Sequence, residues 1–142
     1  MDVQPQNELS LGKAIRVDQQ KAILIVENEK LVAWDIEQTL RDHDYHDLFH
    51  ATSVRGAREL VHAVDSKISL VILDLKLDDG DASALIDEFT DRDIAVLVVT
   101  GYSGFAHPDV PVLYKPFGTR ALLEAIASLL PSRCCHGSSI RL

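Results

Sequence analysis

The chain lacks almost everything that would commit it to a disulfide framework, a membrane or a nucleic acid. Only two of its 142 residues are cysteines, the adjacent Cys134 and Cys135. Pairing neighbours would close a strained eight-membered ring, and no third cysteine exists to build a framework, so they read as two reduced, exposed thiols without a role. The ending IRL does not fit a prenylation box either. No apolar run approaches the roughly 20 residues a membrane helix requires, and MDVQPQNELS has neither the basic start nor the apolar centre of a signal peptide. A cytoplasmic protein is expected. Basic residues are also scarce, 14 against 22 acidic ones, for a net charge of -8. That balance argues against unspecific attraction to nucleic acid or anionic lipid, because both need a concentrated basic surface.

What remains is 46% hydrophobic content in a length suited to one globular domain. Residues 1–20 show no sustained periodicity and read as a flexible N-terminal arm. The body of the domain is expected over 21–130, and 131–142 as a C-terminal tail. AILIV at 22–26 is a short continuous apolar run, as in a strand buried on both faces of a parallel sheet. A helix pattern follows, with Leu31, Trp34, Ile36 and Leu40 near helical spacing and Trp34 expected in the core. YHDLFHA (45–51) is a weaker strand. Ser53 is placed to cap the helix VRGARELVHAV, and LVIL (70–73) is the next buried strand. DDGDA reads as a solvated acidic turn. Ser83 is expected to cap a third helix, IAVLVV (94–99) and VPVLY (110–114) are strands, and Thr119 is expected to cap a last helix that Pro131 ends. Strand and helix alternate with short links, which implies right-handed crossovers and a parallel sheet covered on both faces.

In such sheets sites form beyond the carboxyl ends of the strands. Glu27, Asn28 and Glu29 follow the first strand, Asp74 ends the third, Thr100 and Gly101 follow the fourth, and Lys115 and Pro116 follow the fifth. A buried carboxylate is costly unless it is paired or used. Carboxylates and an amide suit a hard divalent cation, and a hydroxyl and an ammonium beside them suit phosphoryl chemistry with Asp74 as nucleophile. Mg²⁺ held by Glu27, Asn28 and Asp74, with Lys115, would offset the charge of the transferring oxygens, and Thr100 would donate a hydrogen bond. Glu29 is as well explained by the helix dipole and is not assigned to the site. His43, His46 and His50 have no spacing that fixes a metal geometry and read as surface residues.

Four segments carry a resemblance: ILIVENE, VILDLKLDDGDA, VVTG and YKPFG, in that order and on the inferred strand ends. The chain from about 21 to 130 resembles the receiver domain of two-component response regulators. The resemblance implies a flavodoxin-like α/β fold, doubly wound, with five parallel strands in the order 2-1-3-4-5. It implies that Asp74 is phosphorylated by a histidine kinase or a histidine phosphotransfer protein, that Glu27, Asn28, Asp74 and the backbone carbonyl of Lys76 ligate Mg²⁺, and that Thr100 and Lys115 contact the phosphoryl group. The side chain of Lys76 is one that family members use to tune loss of the phosphoryl group. The expected protein is therefore a phosphoacceptor with slow self-dephosphorylation, not an enzyme. With no output domain read after residue 130, it is expected to act as a stand-alone regulator, a monomer or weak dimer, on an unknown downstream protein.

Three departures modify that expectation. Asn28 stands where the family usually has an acid, which removes one negative charge and should weaken Mg²⁺ binding. Val112 stands where the family commonly has a switch aromatic. Tyr114 is expected on the opposite face of its strand and so not to replace it, while Tyr102, in a Thr-Gly-Tyr sequence seen in some stand-alone receivers, does part of that job. Only 14 residues separate Thr100 from Lys115. GYSGFAHPD leaves too little chain for the usual fourth helix, which is expected to be shortened, missing or disordered. The second reading is a non-phosphorylated pseudo-receiver acting as a protein-interaction module. A third, a phosphatase of the haloacid dehalogenase type, needs an aspartate where Lys76 stands.

Overall fold

The computed structural model describes residues 22–64 and 67–130; the arm and tail assigned above lie outside the described residues. Five parallel strands form the sheet: β1 (Ala22–Val26), β2 (Leu48–Ala51), β3 (Ile68–Asp74), β6 (Ala95–Thr100) and β7 (Val112–Tyr114). Their spatial order is β2-β1-β3-β6-β7, the flavodoxin-like order expected. A two-residue ribbon, β4 (Lys76–Leu77) with β5 (Gly80–Asp81), follows β3. Gly80 sits in its turn at φ +132, a backbone region that residues with a Cβ rarely adopt.

The helices are α1 (Lys30–Asp42), α2 (Val54–Val64), α3 (Ser83–Thr90) and α4 (Thr119–Leu129). Side chains alternate across a strand, and the sheet shows it. Leu24, Val26, Val71, Leu73, Val96 and Val98 pack with Ala57 and Val61 of α2 and Leu85 and Phe89 of α3. Ile23, Ile25, Ile72, Leu97 and Val99 pack on the other face with Ile36 and Leu40 of α1 and Leu122 and Ile126 of α4. Both faces of β1 are therefore buried, which is why its sequence is continuously apolar rather than alternating.

Between Thr100 and Val112 there are only turns, so the crossover from β6 to β7 is made without a helix, as the short spacing required. Several local expectations are corrected. Trp34 and Leu31 are 60% and 81% exposed; helical spacing alone does not say which stripe faces the sheet, and here Ile36 and Leu40 do. Ser53 does cap α2, its Oγ accepting from Gly56 N at 2.9 Å. Ser83 and Thr119 do not cap their helices but are the first helical residues, and Asp81 Oδ1 accepts from Ser83 N at 2.9 Å. Asp79 is not merely solvated: its two oxygens accept from Val54 N (2.8 Å) and Arg55 N (3.1 Å). These bonds tie the β4–β5 turn to the first turn of α2 and hold the Asp79 carboxyl below its ordinary pKa.

Candidate functional site

The register explains how residues far apart in the chain meet. Val26 pairs with Leu73, Asp74 with Val99, and Thr100 with Tyr114. β1, β3, β6 and β7 consequently end at one rim, and the next residues of β1 and β7 are Glu27 and Lys115. Glu27, Asp74 and Thr100 are the buried polar residues of the described chain, at 2%, 5% and 4% exposure. Lys115 Nζ lies 3.0 Å from Glu27 Oε1, 3.3 Å from Asp74 Oδ2 and 3.4 Å from Glu29 Oε1. One ammonium therefore faces three carboxylates.

The electrostatics follow from that arithmetic. Burial, chiefly, and then the neighbouring Asp74 push the Glu27 carboxyl above its ordinary pKa of 4.5, against the lowering effect of the hydrogen bond from Glu29 N and of the nearby Lys115 ammonium. Burial pulls the Lys115 ammonium down, but Glu27 and Asp74 outweigh it and the net shift is upward. Glu27 Oε2 accepts from Glu29 N at 3.1 Å. Glu27 Oε1 is buried without a hydrogen-bond partner: its approach to Lys115 is an ion pair, with poor hydrogen-bond geometry. A buried carboxylate oxygen in that state, at a rim where one ammonium faces three carboxylates, is where further positive charge is stabilising.

The remaining predicted residues surround this core. Asp74 Oδ1 accepts from Lys76 N at 3.3 Å, and Thr100 Oγ1 accepts from Tyr102 N at 3.1 Å. Asn28 Nδ2 donates to Asp78 Oδ1 at 3.0 Å. Asn28, Glu29, Asp74, Lys76, Thr100 and Lys115 line one hollow, as do Asp78 and Tyr102. Among the described residues no three His, Cys, Asp or Glu side chains cluster as metal ligands. The donor set assigned here contains two carboxylates, Glu27 and Asp74, plus an amide and a backbone carbonyl, which is oxygen chemistry suited to a hard cation. His43 contacts Thr39 O, His46 Asp44 and His50 Glu37, one at a time.

Two findings were not anticipated. Glu29, left out of the site above, contacts Lys115, which only the folded rim brings near. Tyr114 is corrected as well: residues two apart share a face of a strand, so it lies on the side of Val112. Its hydroxyl donates to Phe105 O at 2.6 Å across the β6–β7 connection. The ring of Tyr102 is 68% exposed and lies against Gly104, where a Cβ would stand 2.5 Å from its hydroxyl oxygen.

The five-stranded parallel sheet in the order β2-β1-β3-β6-β7, with a buried aspartate and a lysine in contact at one rim, defines a flavodoxin-like α/β domain, and the comparisons with known proteins name its family. No protein-family model and no curated protein matches the chain. Solved structures do. SdrG from Sphingomonas melonis Fr1 is 34% identical, with 78% of this chain and 96% of that one covered at a TM-score of 0.65. The signal receiver domain of a Vibrio parahaemolyticus protein is 27% identical, with 79% and 91% covered at 0.66. A response regulator protein from Burkholderia pseudomallei, solved with a phosphorylated aspartic acid, a calcium ion and citrate, is 21% identical, with 86% and 75% covered at 0.66. The chain belongs to the receiver domain family of two-component response regulators.

Proposed function

We propose that this chain is a single-domain response regulator that accepts a phosphoryl group on Asp74 from a phosphohistidine of a kinase or phosphotransfer protein. The observation that carries the reading is the contact of Lys115 Nζ with both Asp74 (3.3 Å) and Glu27 (3.0 Å) at a rim where Thr100 is also buried. An Asp74 oxygen attacks phosphorus and forms the new O–P bond; the N–P bond of the donor breaks, and its electron pair stays on the imidazole nitrogen. Lys115 offsets negative charge on the transferring oxygens. Thr100 Oγ1 already accepts from Tyr102 N, so its own proton remains available for a phosphoryl oxygen.

Glu27, Asn28, Asp74 and the carbonyl of Lys76 are the residues that would hold Mg²⁺. Its two charges would neutralise phosphoryl oxygens as they approach the carboxylate. The buried Glu27 Oε1, which makes no hydrogen bond and has only the Lys115 ammonium at 3.0 Å beside it, supports this fit. Lys76, exposed and two places after Asp74, is the side chain that would tune dephosphorylation in this reading. No helix of the described residues is long and apolar enough to cross a membrane, and a cytoplasmic location accords with a kinase partner.

Incubation with acetyl phosphate and Mg²⁺, read by intact mass, tests the assignment. The expected result is a gain of one phosphoryl group that Asp74→Asn abolishes. No gain under saturating donor would leave the pseudo-receiver, a protein-interaction module, as the function.

A further inference from the structure

We propose that Asp78 supplies the carboxylate that Asn28 lacks, acting as an outer-sphere positioning residue for the divalent cation of this pocket; the inference rests on the phosphoacceptor reading above. Asn28 Nδ2 donates to Asp78 Oδ1 at 3.0 Å, across 50 residues of chain. Between an amide and a carboxylate only the NH₂ side can donate, so this contact dictates which way the amide faces. The Asn28 carbonyl oxygen is the atom left free to turn to a cation. Asp78 takes that bond on Oδ1, and it lines the same hollow as Asp74 and Lys115.

Charge points the same way. Lys115 contacts Glu27, Glu29 and Asp74 but not Asp78. Asp78 is thus not paired by Lys115, and at the same rim the buried Glu27 Oε1, 3.0 Å from Lys115 Nζ, makes no hydrogen bond. Mg²⁺ holds on to several of its waters in protein sites, and such waters are strong donors to carboxylates just beyond the ligands. A carboxylate one hydrogen bond behind Asn28 is placed to take such a water while holding the amide in its ligating orientation. The charge missing at position 28 is then present one shell further out.

The test measures Mg²⁺ dissociation constants by titration calorimetry on the EDTA-stripped full chain. Asp78→Asn should raise the constant about 10-fold, the lower end of the usual effect of losing an outer-shell partner. Asp42→Asn, at the end of α1 away from the rim, removes the same charge and should change it less than about twofold, since exposed charges that distant are screened. The double variant Asn28→Asp with Asp78→Asn exchanges carboxylate and amide while keeping the bond and the charge count, and should bind at least as tightly as wild type. An Asp78→Asn constant within twofold of wild type, or a swapped pair weaker than Asp78→Asn alone, overturns the inference. If wild type also takes up phosphoryl from acetyl phosphate, the phosphoacceptor reading survives that failure. A wild-type chain with no saturable Mg²⁺ binding overturns both.

Discussion

Replacing Lys115 with methionine removes the one ammonium that faces Glu27 and Asp74 while keeping most of the side-chain volume. At 3.0 and 3.3 Å, and with an effective dielectric near 20, each attraction is about 5 kcal/mol before desolvation is counted. Desolvation returns much of that, and truncating one partner of a fully buried ion cluster costs about 3–5 kcal/mol. The Lys115 side chain is 21% exposed, so water carries part of the load. Proton uptake sets a ceiling. An acid with the ordinary pKa of 4.5 is 2.5 units below pH 7, and protonating it there costs about 3.4 kcal/mol at 1.36 per unit; Glu27, already raised, costs less. A loss of about 2 kcal/mol at pH 7 is expected, read as a fall of about 1 M in the urea midpoint for a slope near 2 kcal/mol per M.

The pH dependence has a definite sign. In the variant, Glu27 in the fold holds its proton at higher pH than in the unfolded chain. The folded state then binds more protons in the window above 4.5, and stability falls as pH rises through it. The deficit against wild type should therefore shrink as the pH is lowered from 7 toward 5, and Asp74→Asn in the same background should recover a large part of it by removing the second carboxylate. A Lys115→Met protein within about 0.5 kcal/mol of wild type at pH 7 in EDTA, or a deficit flat between pH 5 and 7.5, would refute the reasoning, since surface-like pairs are worth no more than that.

Phe89, 1% exposed, and Trp34, 60% exposed, should separate cleanly under urea: Phe89→Ala costs about 3–5 kcal/mol, Trp34→Ala less than about 1. Glu88 is held below its ordinary value of 4.5 chiefly by its hydrogen bond from Arg58. It thus contributes stability that is present above pH 4.5 and lost as pH falls through the folded value, and Glu88→Gln should flatten the acid limb of the stability curve below pH 4.5. Tyr114→Phe removes the bond to Phe105 O. Hydrogen exchange within 101–111 should then accelerate about fivefold, as for roughly 1 kcal/mol of local opening, with the urea midpoint nearly unchanged.

The periodicity was enough for the architecture because burial leaves a mark on every residue of an element. β1 and β3 are apolar on both faces and helix patterns separate them, so a parallel doubly wound sheet follows. Asp74 was legible for the related reason that a carboxylate at the end of such a run conflicts with its surroundings and must be paired or used. Spacing also limited the segment before β7: nine residues with two glycines and a proline leave room for no more than a turn of helix, and the fold has only turns there.

Orientation and partnership were not written locally. Leu31 and Trp34 obey helical spacing as well as Ile36 and Leu40 do, and only docking on the sheet decided which stripe is covered. Asp79 and Asp78 looked like solvent-facing turn residues because their partners, the first turn of α2 and Asn28, are 24 or more positions away. Glu29 joins Lys115 across 86 positions. Composition and period thus determined the sheet, its layers and the rim on which chemistry could occur. The pairing of charges at that rim was decided by tertiary register alone, because a hydrogen bond or ion pair depends on distances of a few ångströms between segments whose separation in the chain carries no trace of them.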